Sequence, residues 1–246
     1  MKLVATTVGR KGPGDVGKNK ERLRAAELAL EKAIKLRANV LALPAGFFTV
    51  HSSEARNGIA SSLINVAKQL NIAIIFGVDQ EVKNPSKNWE LEIRGRGLPW
   101  YGYAWSPSEN ITLPHCWSQR SFTSTNQWWA SDERCKEVRL LGVGDETIGI
   151  LMCGEIFNQR IRNALAEHSP RPKAIVDVAH IGSGFRVWQG MKKLVELGLA
   201  AVCSVHAQCE HAMKHCYVPE KGCVSSRIPD AYIYGPPRIE LKLWIF

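Results

Sequence analysis

The stretch "IGILMCGEIFN", Ile148 to Asn158, ends an apolar run on a thiol, Cys153, and places a carboxylate, Glu155, two residues later. A core strand needs neither group, whereas a nucleophile carried at a strand tip can use both. A cysteine attacks as its thiolate, and a free thiol has a pKa of about 8.5. A neighbouring base or cation has to lower the cost of that ionisation. Glu155 is the nearest carboxylate along the chain, and Glu54, Glu133 and Glu137 are others that folding could bring close. The plainer alternatives are a buried structural cysteine and a carboxylate at the start of the helix that follows.

Other residue types invite the same weighing. His180 stands at the end of "AIVDVAH", just past the carboxyl end of a strand, where α/β folds often face their active sites. Trp105, Trp117, Trp128 and Trp129 crowd one segment and could wall an apolar or aromatic pocket, or pack in a core or dimer contact. "HAQCEHAMKHCYVPEKGC" brings His206, Cys209, His211, His215, Cys216 and Cys223 together. His211 and His215 share a face if helical, and Cys and His at this density can bind zinc. The spacing matches no standard zinc pattern, so no metal is expected, and a metal site stays as an alternative.

These groups need elements to position them. "KLVATTVG" (2–9), "NVLALP" (39–44) and "IAIIFGVD" (72–79) read as strands, and the last has no polar face. Between them, 19–37 carries apolar residues at helical spacing. A second helix runs from a cap at Ser52 or Ser53 to about Leu70. "WELEI" (89–93) and "YGYAWS" (101–106) read as strands, and 107–135 as a long loop, a kind that is usually functional. The pattern then returns: strands at "VRLLGVG", "TIGILMC", "AIVDVAH" and "LAAVCSVHA", with helices at "QRIRNALAEH" and "FRVWQGMKKLVELG". "GCVSSRI", "AYIYG" and "RIELKLWIF" close the chain as strands. Two similar α/β halves predict a sheet-on-sheet core with helices outside.

At 246 residues, the chain suits a single domain spanning 1–246. Its 22% charged and 45% hydrophobic residues are those of an ordinary globular protein. No apolar run approaches the roughly 20 residues of a membrane span, and the first is too short for a signal-peptide core. A cytoplasmic location without membrane attachment is therefore the expectation. Seven scattered cysteines suit free thiols in a reducing compartment better than a disulfide scaffold. The net charge of +9 is spread without a dense basic stripe or a nucleic-acid motif. A solvated basic surface is expected, with an anionic substrate or partner as the alternative.

The chain resembles the nitrilase, or carbon–nitrogen hydrolase, superfamily. The resemblance is carried by "IGILMCGE", by "NVLALPAGFF" ahead of it, and by the strand–helix order around both, over nearly the full length. It implies an α-β-β-α sandwich, usually a homodimer, with a Glu–Lys–Cys triad. It also implies cleavage of an amide or nitrile C–N bond in a small molecule through a thioester, with no cofactor. Cys153 matches the nucleophile, and Glu155 the acidic position after it. The general base normally follows the proline that ends the second core strand, but "LPAGFF" puts Ala45 there. "CWSQRSFTSTNQWW" holds no lysine, and Arg120 is the nearest cation to the lysine position. Trp117 from the tryptophan-rich segment and His180 past its strand end are candidates for contacting substrate, and the resemblance adds His206, whose stretch falls where it implies that the sheet lines the pocket rim.

Arginine can stabilise a thiolate or an oxyanion but is no proton donor at ordinary pH. Losing a positioned base costs ~100- to 10,000-fold, and a methyl group at Ala45 cannot move protons. The leading expectation is a nitrilase-like hydrolase with Cys153, Arg120 and Glu155 as catalytic residues, or an acyl transferase if the acceptor is not water. The alternatives are an impaired relative serving as a binding or scaffold module, and a metal-dependent protein built on the His/Cys cluster.

Overall fold

The computed structural model describes residues 1–9, 18–81, 100–120, 132–180, 185–207, 216–218, 222–224, 231–235 and 239–245. Its first half holds β1 (Leu3–Gly9), α1 (Asn19–Lys35), β2 (Val40–Ala42), β3 (Phe48–Val50), α2 (Ser53–Gln69), β4 (Ala73–Gln80), β5 (Trp100–Trp105) and β6 (His115–Ser118). The second holds α3 (Asp132–Lys136), β7 (Leu140–Val143), β8 (Glu146–Met152), a 3-10 turn (Cys153–Phe157), α4 (Gln159–Glu167), β9 (Ala174–Ala179), α5 (Phe185–Glu196) and β10 (Ala200–Ala207). Four further strands follow: β11 (Cys216–Val218), β12 (Gly222–Val224), β13 (Ala231–Gly235) and β14 (Ile239–Ile245).

Local chemistry explains the helices. α1 buries Ala25, Ala26, Ala29, Leu30 and Ala33, a small-residue face that lets the helix lie close on the sheet. It ends before Arg37, whose φ of 58° is left-handed, slightly short of the expected boundary. α2 starts where expected: the Ser52 side chain accepts a hydrogen bond from the Ala55 backbone N–H at 3.2 Å.

The described strands form one hydrogen-bonded ribbon with the central order β6-β5-β4-β2-β1-β10-β9-β8-β7. β1 and β10 pair in parallel at the seam between the halves. On either side, β2 and β4 and then β9 and β8 continue in parallel, and β5 and β7 add antiparallel edges. The ribbon folds face to face about this seam. Leu3, Val40, Ala42, Ile75 and Ala104 from the first half pack against Ile148, Ile150, Met152, Val176 and Val178 from the second. A second apolar layer lies under α1 and α2, and a third under α4 and α5. Three apolar layers separate four structural ones, which is the expected α-β-β-α sandwich.

Some elements differ from expectation. The segment 107–135 is not one long loop, because β6 pairs with β5 within it and α3 begins before its end. Four residues with mixed exposure are too short a run for their periodicity to show. β3 and β11, three residues each, were missed for the same reason. The strand expected at 89–93 lies outside the described residues, as do Trp128 and Trp129. No helix among the described residues is long and apolar enough to cross a membrane.

Candidate active site

β8 delivers Cys153 to the carboxyl end of the second half-sheet, in the first position of the 3-10 turn. Its φ of 48° is left-handed, a conformation that costs a non-glycine residue free energy unless its surroundings impose it. The chain thus bends sharply at the nucleophile candidate and leaves its thiol half-buried. The Met152 backbone N–H donates to Glu155 Oε2 at 3.3 Å, closing the bend from below.

His180 follows β9, the parallel neighbour of β8, so both strands present their carboxyl ends at one place. Its imidazole lies near enough to the Cys153 thiol for each to shift the ionisation of the other. Its Nε2 lies 2.9 and 3.0 Å from the two oxygens of Asp79, near the end of β4 in the opposite half. Asp79 and His180 are 6% and 8% exposed, so their attraction is weakly screened. The Trp100 ring meets the imidazole edge-on, with centroids 5.0 Å apart.

The protonation states follow. Burial disfavours an imidazolium at His180, but the Asp79 charge and hydrogen bond, together with the thiol, raise its pKa well above the ordinary value. Burial also opposes a thiolate at Cys153, yet the hydrogen bond and charge of His180 prevail and hold the thiol below its usual range. Such an arrangement favours a thiolate–imidazolium pair.

Glu155 belongs to a neighbouring cluster. Its Oε1 accepts from the Arg120 backbone N–H at 2.7 Å, from Arg120 Nε at 3.2 Å and from Arg139 Nη1 at 3.1 Å. Arg120 Nη2 donates to Glu155 Oε2 at 3.3 Å, and Arg120 Nη1 donates to the carbonyls of Arg134 and Glu137. Burial works against ionised Glu155, and the two guanidinium groups overcome it and lower its pKa. Burial pulls the Arg139 pKa down to about 10 despite Glu155.

The structure therefore brings Cys153 and His180 together, and it pairs Arg120 with Glu155. Trp117 stacks on His115 with centroids 5.2 Å apart and lies under the Arg139 guanidinium. Trp105 lies in the layer beneath α2, under Lys68. His206 lies on β10 opposite Val8, and its side chain is outside the described residues. So is most of the His/Cys cluster; among the described residues, no three His, Cys, Asp or Glu side chains converge as a metal site. Ala45 is fully buried where the resemblance expects the base. Sequence reasoning overlooked Asp79 and Trp100. The signal for Asp79 was an acid near the end of an otherwise apolar strand, the same pattern that exposed Cys153.

No family model matches this chain, and no curated protein matches it in sequence. Solved structures do, and they define the fold class as that of amidases from the nitrilase superfamily. One is a glutamate-to-glutamine mutant of the amidase from Nesterenkonia sp. AN1, showing covalent addition of the acetamide moiety of fluoroacetamide at the active-site cysteine. It aligns with a TM-score of 0.67 and 13% identity over 100% of this chain and 90% of that one. A cysteine-to-alanine mutant of that amidase in complex with butyramide gives 0.64 and 13%, over 100% and 90%. A further amidase structure from Nesterenkonia sp. gives 0.63 and 14%, over 99% and 89%. At such identities the likeness establishes the fold.

Proposed function

We propose that this protein is an amidase-type carbon–nitrogen hydrolase in which Cys153 is the nucleophile, His180 its acid–base partner and Asp79 the group that orients and charges His180. The observation that carries the reading is His180 held between the Cys153 thiol and the Asp79 carboxylate, 2.9 Å from the latter. The Cys153 thiolate adds to the carbonyl carbon of a small amide, forming the C–S bond and moving an electron pair onto oxygen. As the intermediate collapses, the C–N bond breaks and the His180 imidazolium gives its proton to the departing nitrogen. A thioester and a neutral imidazole remain. His180 then takes a proton from water, whose oxygen attacks the thioester. Collapse releases the carboxylic acid and restores the thiolate–imidazolium pair.

In this reading the carboxylate missing at position 45 is supplied one strand over, from Asp79 on β4. Arg120 and Glu155 neutralise each other and brace the bend below Cys153. A proton-donating imidazolium suits an amide, whose nitrogen must leave as an amine. The neighbours' ligands, butyramide and acrylamide, set the substrate size to try first.

The test is ammonia release from butyramide and acrylamide, together with fluoroacetamide labelling followed by peptide mass spectrometry. The reading expects turnover, a label at Cys153, and loss of both in Cys153→Ser and His180→Gln. Slow, uniform labelling of all thiols with no turnover favours the second reading, a binding or scaffold module, for which Ala45 is the supporting observation.

A further inference from the structure

The inner face of the first half-sheet is laid down in cross-strand pairs between β4 and β5. Ile75 and Ala104 form one pair, in the layer between the sheets. Strand alternation puts two more on the same face: Gly77 with Gly102, then Asp79 with Trp100. The opposite sheet answers in the same order. Met152 on β8 and Val178 on β9 are partners in that layer, and His180 lies two residues beyond Val178. His180 Nε2 is 2.9 Å from Asp79, and its ring centroid is 5.0 Å from that of Trp100. Met152 meets the glycine pair: a Cβ on Gly102 would lie 2.7 Å from its Sδ and 3.3 Å from its Cγ and Cε. Non-bonded carbons rest roughly 3.5 to 4.0 Å apart. Neither glycine has a positive φ, so space, not backbone conformation, is what position 102 requires.

We propose that Gly102 is a positioning residue: the notch it leaves for Met152 lets the two sheets close until Asp79 and Trp100 reach His180. The proposal rests on the reading of Cys153, His180 and Asp79 as the reacting group. It explains why a strand that is otherwise aromatic and apolar on both sides carries a residue with no side chain, one pair short of the site. Gly77 beside it serves the same closeness, since a Cβ there would lie 2.5 Å from the Ala45 Cα.

The spacing acts on the next pair along the strands. Pushing the sheets apart by about one ångström at Met152 would carry the Asp79–His180 contact from 2.9 Å to beyond hydrogen-bond reach. Met152 also directly precedes Cys153, so whatever displaces it displaces the nucleophile. A thioether adapts to crowding where it has room, but Met152 is fully buried in a close-packed layer. Asp79 and Cys153 are the titratable groups that act on His180, and this spacing sets the approach of both.

The experiment compares the wild type, Gly102→Ala and the double variant Gly102→Ala/Met152→Val. Valine removes the Sδ and Cε that the new methyl would strike, so the double variant nearly conserves volume. Two readouts are taken: the iodoacetamide alkylation rate of Cys153 by peptide mass spectrometry, and the His180 titration midpoint by ring-proton NMR, assigned with His180→Gln. Gly102→Ala is expected to slow alkylation at neutral pH roughly 10- to 100-fold, the scale of an ångström-sized misplacement. Its His180 midpoint is expected to fall as Asp79 withdraws. The double variant is expected to return the rate to within a few-fold of wild type and to restore the midpoint. A folded Gly102→Ala with an unchanged His180 midpoint overturns the proposal, as does a double variant that stays slow or fails to fold. Where Gly102→Ala alone does not fold, the double variant decides. A wild type whose Cys153 labels no faster than its other thiols overturns the nucleophile reading instead, and the His180 midpoints still judge the spacing.

Discussion

The His180 imidazole meets the Asp79 carboxylate at 2.9 and 3.0 Å although the two residues stand 101 positions apart and belong to opposite halves of the sandwich. Neither half contains the pair. β4 brings the acid and β9 the imidazole, and the seam between β1 and β10 sets how far each strand end extends toward the other. The ion pair is thus a long-range product of strand register, and it is what makes the half-buried Cys153 a candidate nucleophile.

Alkylation of Cys153 should persist below the ordinary thiol range. Its pKa is lowered by His180 against burial, so the thiolate exists above the depressed value and is lost only as pH falls through it. Burial raises the thiols of Cys135 and Cys203, which should stay silent at neutral pH. Iodoacetamide rates measured peptide by peptide across pH provide the check; a Cys153 midpoint at or above about 8.5 contradicts the thiolate–imidazolium pair.

Replacing Asp79 by asparagine keeps a group of similar shape and removes the charge. His180 then has less reason to hold a second proton, because burial lowers its pKa and only Cys153 is left to oppose it. Asp79→Asn should cut Cys153 alkylation at neutral pH roughly 10- to 1,000-fold and move its midpoint upward. There is a stability consequence with the same sign. A His180 pKa raised by folding contributes stability that is complete below the unfolded value of about 6.5 and is lost as pH rises through the folded value. Urea midpoints of wild type and Asp79→Asn should therefore converge as the solution becomes alkaline.

Glu155→Gln should unfold far more readily than wild type. It leaves the buried guanidinium groups of Arg120 and Arg139 without their shared counter-charge. Removing one member of a buried ionic cluster costs about 3 to 5 kcal/mol. Urea denaturation followed by circular dichroism gives the number, and a change below about 1 kcal/mol contradicts the coupling.

Two glycines should respond oppositely to alanine. A Cβ on Gly77 would sit 2.5 Å from the Ala45 Cα, a backbone atom held in the core, so Gly77→Ala should cost about 1 to 3 kcal/mol. Gly58, inside α2, has nothing within 4 Å of its virtual Cβ, and Gly58→Ala should stabilise the helix by about 0.5 to 1 kcal/mol. Melting temperatures of the two variants check both signs.

The architecture was legible in the sequence because both of its periodicities are strong. The apolar runs of β4, β8 and β9, and the helical spacing of α1 and α2, each bury a continuous face. β3, β6 and β11 were not legible: each is three or four residues long, and none stood out from its flanking sequence as β2 did within its apolar run. In the site, Cys153 and His180 were found as polar residues at the ends of apolar strands. Asp79 shows the same mark, but its partnership with His180 depends on strand order, which local sequence does not encode. Arg120 was singled out by its distance along the chain from an expected lysine, and its ion pair with Glu155 is a product of folding that this distance does not encode.

The parallel seam of β1 with β10 has a consequence for how the protein comes to life. Displacing either layer by one residue along its strands moves its end by about 3.3 Å, enough to part the acid from the imidazole. Under the proposed mechanism, neither half on its own holds both the imidazole and its acid, so the reactivity of the sulfur depends on the two halves docking in register. A chain built this way would couple its proposed chemistry to correct assembly.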